Sequence, residues 1–378
     1  MDSDIDTPRS PRLSSRARRM QSRERQTLKV SDGESTTEDA VDCDSRAFNQ
    51  LPASFGCKIN INLDNVMMSS LKAGLLEFNP TTIEEVRKEY DLDKPGMMEQ
   101  SIDILHEWIQ KQEHFVKKDF CREYLERVII STKGSLERAK ARVDKMCTLR
   151  TRVPELFSKT NVKQDFSRLS QSYINVYMPK LTEDNYRVYV VQMKSNITTA
   201  ILLDTFRHNM ILAEYLKRKD YANGIICVVD VRENNILDLV AQFNIVDLSN
   251  VSVMYTEGFG FRVKKVLILS SSKVIDLFAA LLKRVVSAKI GERIEAINTV
   301  EDLHKHLPTE LLPEDYGGQQ KSLIDLYDQW TEELASDENI EYVKEMTQAR
   351  VIEEFRRSDG YGDEYLGIPG SFKTLNVD

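Results

Sequence analysis

LPTELLPEDYGG, residues 307–318, is the stretch on which the reading of this chain turns. Leu311, Leu312 and Pro313 form an apolar step that lays the chain against a packed layer, and Tyr316 offers a large apolar body with a polar tip. Gly317 and Gly318 allow backbone angles that side chains resist. Nothing in the stretch carries chemistry, so its meaning is architectural. Working outward, the preceding residues alternate short β-branched runs with helical patterns. YRVYVVQM (186–193), GIICVVDV (224–231), KKVLILS (264–270) and RIEAIN (293–298) read as strands. ILLDTFRHNMILAEYLKR (201–218) and KVIDLFAALLKRVVSAK (273–289) read as two of the helices between them. That alternation predicts a largely parallel, buried sheet flanked by helices. On the other side of the stretch, the Gly-Gly turn leads into a helix through Leu323, Leu326, Tyr327 and Trp330 and then a Gly-rich tail.

Farther upstream the period becomes helical throughout. Ile102, Leu105, Trp108 and Ile109 recur at three- and four-residue steps, as do Leu136, Ala139, Val143 and Met146, with Gly134 and Pro154 marking breaks. Thr81-x-x-Glu84 has the form of a capping box at a helix start. An amphipathic stretch around Phe166, Leu169, Tyr173 and Ile174 continues that period toward the sheet. Residues 1–62 are rich in Ser, Arg and acidic side chains and hold too little apolar surface to offset the entropy of ordering, so they read as a disordered tail. In that tail a basic block (Arg12, Arg16, Arg18, Arg19, Arg23, Arg25) precedes an acidic one (Asp32, Glu34, Glu38, Asp39, Asp42, Asp44). Thr7-Pro8 and Ser10-Pro11 beside the arginines suggest a regulatory arm open to a kinase or a partner protein.

The 378 residues carry a formal charge of -8, which argues against attraction of the whole molecule to nucleic acid or anionic lipid, so any anion site is local. Cys43, Cys57, Cys121, Cys147 and Cys227 form no C-x-x-C pair, which fits a reducing compartment and predicts neither a disulfide framework nor a zinc site. The polar amino terminus lacks a signal-peptide core and no run approaches a membrane span, so the expected location is the cytoplasm. His106, His114, His208, His304 and His306 include no H-E-x-x-H, and neither a G-x-S-x-G elbow nor a phosphate loop is present. EGFGF (257–261) precedes a strand where a dinucleotide fingerprint follows one. No enzyme, metal or cofactor is therefore expected. His304 and His306 read as a solvated helix end, Cys227 as an inert thiol in a central strand, and Asp230 as a pocket or turn-capping group.

LPTELLPEDYGG closely resembles the closing motif of the CRAL-TRIO lipid-binding domain, the family of the α-tocopherol transfer and cellular retinaldehyde-binding proteins. SLERAKARVDKMCTLRTRVPELF (135–157) resembles that family's helical N-terminal module, and GSFKTLNVD (370–378) resembles the endings of its insect branch. The resemblance implies an α/β CRAL-TRIO lipid-binding domain over 161–318. A small all-helical module over 91–160 would precede it, with leading helices over 63–90 and a C-terminal helix and tail over 319–378. It further implies an apolar cavity beneath a gate helix bearing Val274, Leu277, Phe278, Leu281, Leu282, Val285 and Val286. Exposing all seven would cost on the order of 10 to 20 kcal/mol, so that face must cover a ligand or enter a bilayer.

Alignment of FRVKKVLIL (261–269), AKIGERI (288–294) and YLERVI (124–129) with the family places Arg262, Lys264, Lys289, Arg293 and Arg127 at its phosphoinositide-gripping positions. Alternation puts Arg262 and Lys264 on one strand face, and four-residue spacing puts Lys289 and Arg293 on one helix face if that turn is helical. The pocket implied is lined by Tyr189, Val191, Ser195, Cys227, Val229, Tyr255, Val263 and Leu267. Ser270–Ser272, Gly260 and Val128–Ile130 depart from the family pattern and bear on lid geometry. The function implied is transfer of one hydrophobic molecule (tocopherol, retinoid, another isoprenoid or a phospholipid) at phosphoinositide-containing membranes, where the protein sits peripherally. The alternative is a scaffold that recognises such a membrane or a partner without carrying cargo.

Overall fold

The computed structural model describes residues 75–356. The basic and acidic blocks, the Pro-directed Thr7 and Ser10, Cys43, Cys57 and the closing tail lie outside the described residues. Five strands form one sheet in the order β1 (Tyr173–Leu181), β2 (Tyr186–Met193), β3 (Gly224–Asp230), β4 (Val263–Leu269) and β5 (Ile294–Ile297). The pairs β2–β3, β3–β4 and β4–β5 are parallel, as the buried apolar runs predict.

The antiparallel edge strand β1 is the main departure from the sequence reading. Tyr173 and Ile174 open a strand rather than extend a helix. Pro179, which cannot donate to a ladder, is tolerated because β1 lies at the sheet edge.

The helical region comprises α1 (Thr82–Lys88), α2 (Met97–Gln110), α3 (Arg122–Ser131) and α4 (Leu136–Arg152). Ile102, Leu105 and Ile109 of α2 and Ala139, Val143 and Met146 of α4 are buried, so the three- and four-residue spacing identified the core face. Thr81 does precede α1, but its hydroxyl donates to Glu85 at 2.7 Å and the capping box is not made. Thr81 is itself helical in backbone angle, which turns its side chain away from the amide it would cap. Gly134 takes φ +74 where the chain turns into α4.

Helix α5 (Thr199–Lys219) crosses from β2 to β3. After β3 come α6 (Ile236–Gln242), α7 (Ile245–Val253) and a π-turn (Met254–Gly258). After β4 come α8 (Ile275–Val285) and a short turn (Ala288–Gly291). The chain closes through α9 (Val300–His304), the 307–318 stretch, α10 (Leu323–Leu334) and α11 (Asp337–Met346), the last not anticipated from sequence.

The 307–318 stretch is a clamp. Tyr316 is fully buried and its hydroxyl donates to Asp230 Oδ2 at 3.0 Å, at the end of the central strand. Asp230 also accepts from the Arg232 amide at 3.0 Å, so it caps the turn after β3. Gly317 takes φ +66, and a Cβ on Gly318 would lie 2.0 Å from the Leu312 carbonyl oxygen. The second glycine is thus required by contact with backbone, the first by conformation.

Candidate functional site

Register decides which side chains share a sheet face. Tyr177 pairs with Tyr189, Tyr189 with Cys227, and Cys227 with Val266. The next rung is Asn175, Val191, Val229 and Ile268. This front face thus collects Tyr189, Val191, Cys227 and Val229 of the predicted pocket, and Val263 joins them through its pairing with Ile225. Leu267 does not. The ladder slips between Ile225 and Ile226, leaving Lys264 as an extra residue, so Leu267 pairs with Val228 on the opposite, back face and is fully buried. Ser195 is also misplaced, lying exposed in the loop between β2 and α5.

Cys227 and Val229 belong to the middle strand of the sheet and yet keep part of their surface accessible. Burial nevertheless pushes the Cys227 thiol up to about 12. Tyr255, of the π-turn, combines the same partial accessibility with a hydroxyl raised well above the usual tyrosine range by burial. Groups shielded from water that nonetheless keep accessible surface fit the apolar recess expected on this face. Val240, Phe243, Val253, Phe261, Leu281, Leu282 and Val285 are likewise apolar and partly accessible, and come from α6, α7, α8 and the adjoining segments.

Beside these residues lies a polar group of which the sequence reading named Tyr189 and Tyr255 but missed Asn175, Tyr177 and Asn209. Asn175 Nδ2 donates to Asn209 Oδ1 at 2.6 Å and to the Tyr189 hydroxyl at 3.2 Å. The hydroxyls of Tyr189 and Tyr255 donate to Asn209 Oδ1 at 2.8 Å and to its carbonyl at 3.0 Å respectively. The Asn175 Oδ1 and the Tyr177 hydroxyl are buried and unpartnered. Asparagines inside the apolar runs YINVYM and FRHNMIL were the available signal.

Helix α8 corrects the predicted stripe. Phe278, Ile275 and Ala279 are buried, and Leu281, Leu282 and Val285 partly so, but Val274 and Leu277 are 41% and 48% exposed. Ile275 and Ala279 replace them because the inward arc of the helix is centred one residue away from the arc assumed. Phe278 packs on Phe243, ring centroids 5.8 Å apart. Leu237 of α6 and Ile245 and Val246 of α7 are also exposed, and α8 packs on both helices.

The five predicted cations gather where β3, β4 and β5 begin, but most are already engaged. Arg127 is buried, lies 4.2 Å over the Tyr221 ring and donates to the Asp220 carbonyl at 3.1 Å. Arg262 donates to Asn223 Oδ1 and the Ile130 carbonyl, both at 2.5 Å, and lies over Tyr90. Lys264 crosses Gly224, where a Cβ would meet it at 2.6 Å, to stand 4.5 Å over the Tyr186 ring. Arg293 donates to the Val263 carbonyl, and Lys289 is exposed.

Neither expected pairing by face holds. The ladder slip breaks the alternation of Arg262 and Lys264, and the helical turn carrying Lys289 ends at Gly291, short of Arg293. One further cation was missed. Lys217 of α5 is buried, and its ammonium is pushed well below the usual lysine range by burial and then by Arg142, Arg127 and Arg262. Arg142 belongs to α4 and packs on Gly260, which takes φ +74.

The histidine pair serves packing. His304 meets the Tyr316 carbonyl at 2.7 Å, and His306 meets Lys265 at 2.8 Å. Among the described residues no group of three or more His, Cys, Asp or Glu is arranged to hold a metal.

A family model described as CRAL/TRIO domain matches residues 171–318, and one described as Pinta-like, UBA domain matches residues 94–166. A mouse protein named alpha-tocopherol transfer protein-like is 22% identical over 270 residues, 70% of this chain and 77% of that protein. Among solved structures, that of Sfh5 is similar at a TM-score of 0.41 and 9% identity, covering 62% of this chain and 92% of that one.

Proposed function

We infer, from the premise that the chain belongs to the CRAL-TRIO family, that it binds one apolar small molecule in the recess on the front face of the sheet and exchanges it at membranes. The observation that carries this reading is the partial accessibility of apolar side chains on the central strand, Cys227 and Val229, together with Tyr255 and the partly covered residues of α8. A well-packed core leaves no such surface on a middle strand. A chain that only filled this space with its own side chains would bury them. Capture of an apolar molecule covers that surface without any covalent step, so the reading needs no catalyst.

The membrane half of the reading rests on α8. Its start bears the exposed Val274 and Leu277, flanked by Leu237, Ile245 and Val246, while its last turn carries Lys283 and Arg284, and the exposed Lys289 follows. Apolar side chains at one end and cations at the other suit a helix that lies in the headgroup region of an anionic bilayer. Among the described residues no single helix is long and apolar enough to cross a membrane. Phosphoinositide is the proposed anionic lipid, with Lys289 as its most accessible contact and Arg262, Lys264 and Arg293 behind it. Arg127, stacked and buried, acts as a support for that edge. Mass spectrometry of lipid extracted from the purified chain tests the cargo. A near-stoichiometric apolar compound is expected, and its absence from repeated preparations would leave only the scaffold reading.

A further inference from the structure

EGFGF (257–261) precedes a strand and so has no place in a nucleotide site, but its surroundings give it another role. The last carbonyls of a helical segment have no partner within it. The π-turn offers the carbonyls of Thr256 and Glu257, and Arg142 Nη1 of α4 donates to them at 2.7 and 2.6 Å. Lys145, three residues along α4, adds an ion pair to the Glu257 carboxylate at 3.2 Å. Gly260 makes this seat possible. It takes φ +74, and a Cβ there would stand 3.1 Å from the guanidinium. A side chain at 260 would be strained and would crowd Arg142 away from the carbonyls. The departure from the family pattern at Gly260 thus has a physical use, since it admits Arg142.

The segment that Arg142 holds contributes directly to the recess. Tyr255 belongs to the π-turn, its hydroxyl donates to the Asn209 carbonyl at 3.0 Å, and its own carbonyl accepts from the Phe261 amide at 3.0 Å. The Tyr255 and Phe261 rings lie 5.6 Å apart, and both keep accessible surface. Two residues later Val263 opens β4 on the front face. The π-turn also ends α7, on which α8 packs. We propose, resting on the cargo-binding reading above, that Arg142 is a positioning residue for cargo retention. Its grip on the π-turn fixes Tyr255 and Phe261, so the helical module sets how fast cargo leaves. Loss of that grip removes two charge-assisted hydrogen bonds from the end of the segment, and the turn opens more often.

The test compares the full chain with Arg142→Ala, Arg142→Lys and, as a control for lost stability, Gly318→Ala, whose clamp lies at the opposite end of the parallel strands. Two readouts are taken at a temperature where all are folded. Without probe, hydrogen–deuterium exchange read by mass spectrometry should be about tenfold faster over 254–263 in Arg142→Ala and unchanged in β3. With N-phenyl-1-naphthylamine, an uncharged fluorescent probe, release into excess phosphatidylcholine vesicles should be about tenfold faster, the worth of hydrogen bonds to a charged group. Arg142→Lys should come within about threefold of the natural rate, since its ammonium restores the charge but not the planar guanidinium. Gly318→Ala should lower Tm and release the probe at the natural rate. If Arg142→Ala does not fold, Arg142→Lys against Gly318→Ala decides. Unchanged exchange over 254–263 overturns the inference, as does faster exchange with unchanged release, or equal acceleration by Gly318→Ala, and in each case the cargo reading stands. A natural chain that takes up no probe removes both.

Discussion

The two faces of one sheet are covered to different degrees. On the back, Val188, Val190, Val228, Leu267 and Leu269 are fully buried and aliphatic, and the Tyr316 clamp closes over the end of the central strand. On the front, the same strands present Tyr177 and Tyr189, which are buried, beside Cys227 and Val229, which keep part of their surface accessible. Successive residues of a strand point to opposite faces, so one run such as GIICVVDV supplies both. Close packing on one face gives stability enough for the other to cover Cys227 and Val229 less completely. The tolerance of each face to substitution should differ accordingly.

The largest expected effect lies on the back. Gly318→Ala sets a methyl group against the Leu312 carbonyl at 2.0 Å, which backbone must move to relieve. A loss on the order of 3 kcal/mol is expected, read as a fall in Tm of roughly 10 °C. An unaltered Tm would mean that the clamp is slack and the contrast between faces overstated.

Helix α5 adds a pH-dependent stability term. His208 is fully buried between Phe166 and Tyr327, both ring nitrogens lack partners, and burial lowers its pKa from 6.5 to about 4. Because the folded protein resists the proton that the unfolded chain accepts, this residue's contribution is intact above about 6.5 and is lost progressively as pH falls toward about 4. Near pH 5 the loss is about 2 kcal/mol. His208→Phe should flatten that part of the stability curve in chemical unfolding, and an unchanged slope would show that the ring finds a partner in solution.

The front face gives the next contrast within two residues. Leu277 is 48% exposed and Phe278 is 1% exposed. Leu277→Asp should leave Tm nearly unchanged and reduce binding to liposomes by roughly tenfold, the worth of one leucine in the bilayer interface. Phe278→Asp should instead lower Tm, since it buries a carboxylate against Phe243. The opposite pattern would place Leu277 away from the membrane.

What was legible in the sequence follows the range of the forces involved. Parallel strands announce themselves because burial on both faces makes them continuously apolar, and the clamp is spelled in consecutive residues. β1 was illegible because Phe166, Leu169, Tyr173 and Ile174 continue a helical spacing across the boundary, and only the edge position excuses Pro179. Leu267 was assigned to the wrong face because parity counting cannot detect an extra residue at Lys264. The basic edge was legible as charge but not as availability. The partners that occupy Arg127 and Arg262, Tyr221 in one case and Tyr90 with Asn223 in the other, come from segments distant in sequence. Asn175, Asn209 and Tyr177 escaped for the same reason, since the group they form with Tyr189 and Tyr255 is assembled from four separate elements.

Engagement also orders the cations for the smallest effect. Lys289 is exposed on the turn after α8, so removing its charge disturbs no packing. Lys289→Ala should weaken binding to vesicles containing phosphatidylinositol bisphosphate by about fivefold, roughly the worth of one surface lysine near an anionic headgroup, and should leave binding to neutral vesicles unchanged. The effect should shrink as salt is raised, since an exposed charge is screened within a Debye length of about 10 Å at moderate ionic strength. Arg127→Ala sharpens the comparison, because its guanidinium holds the Asp220 carbonyl and the Tyr221 ring. Its loss should appear first as lowered Tm and only secondarily as weaker vesicle binding. Should Lys289→Ala weaken binding equally on neutral vesicles, the basic edge would have no part in headgroup recognition, and membrane contact would rest on the apolar end of α8 alone.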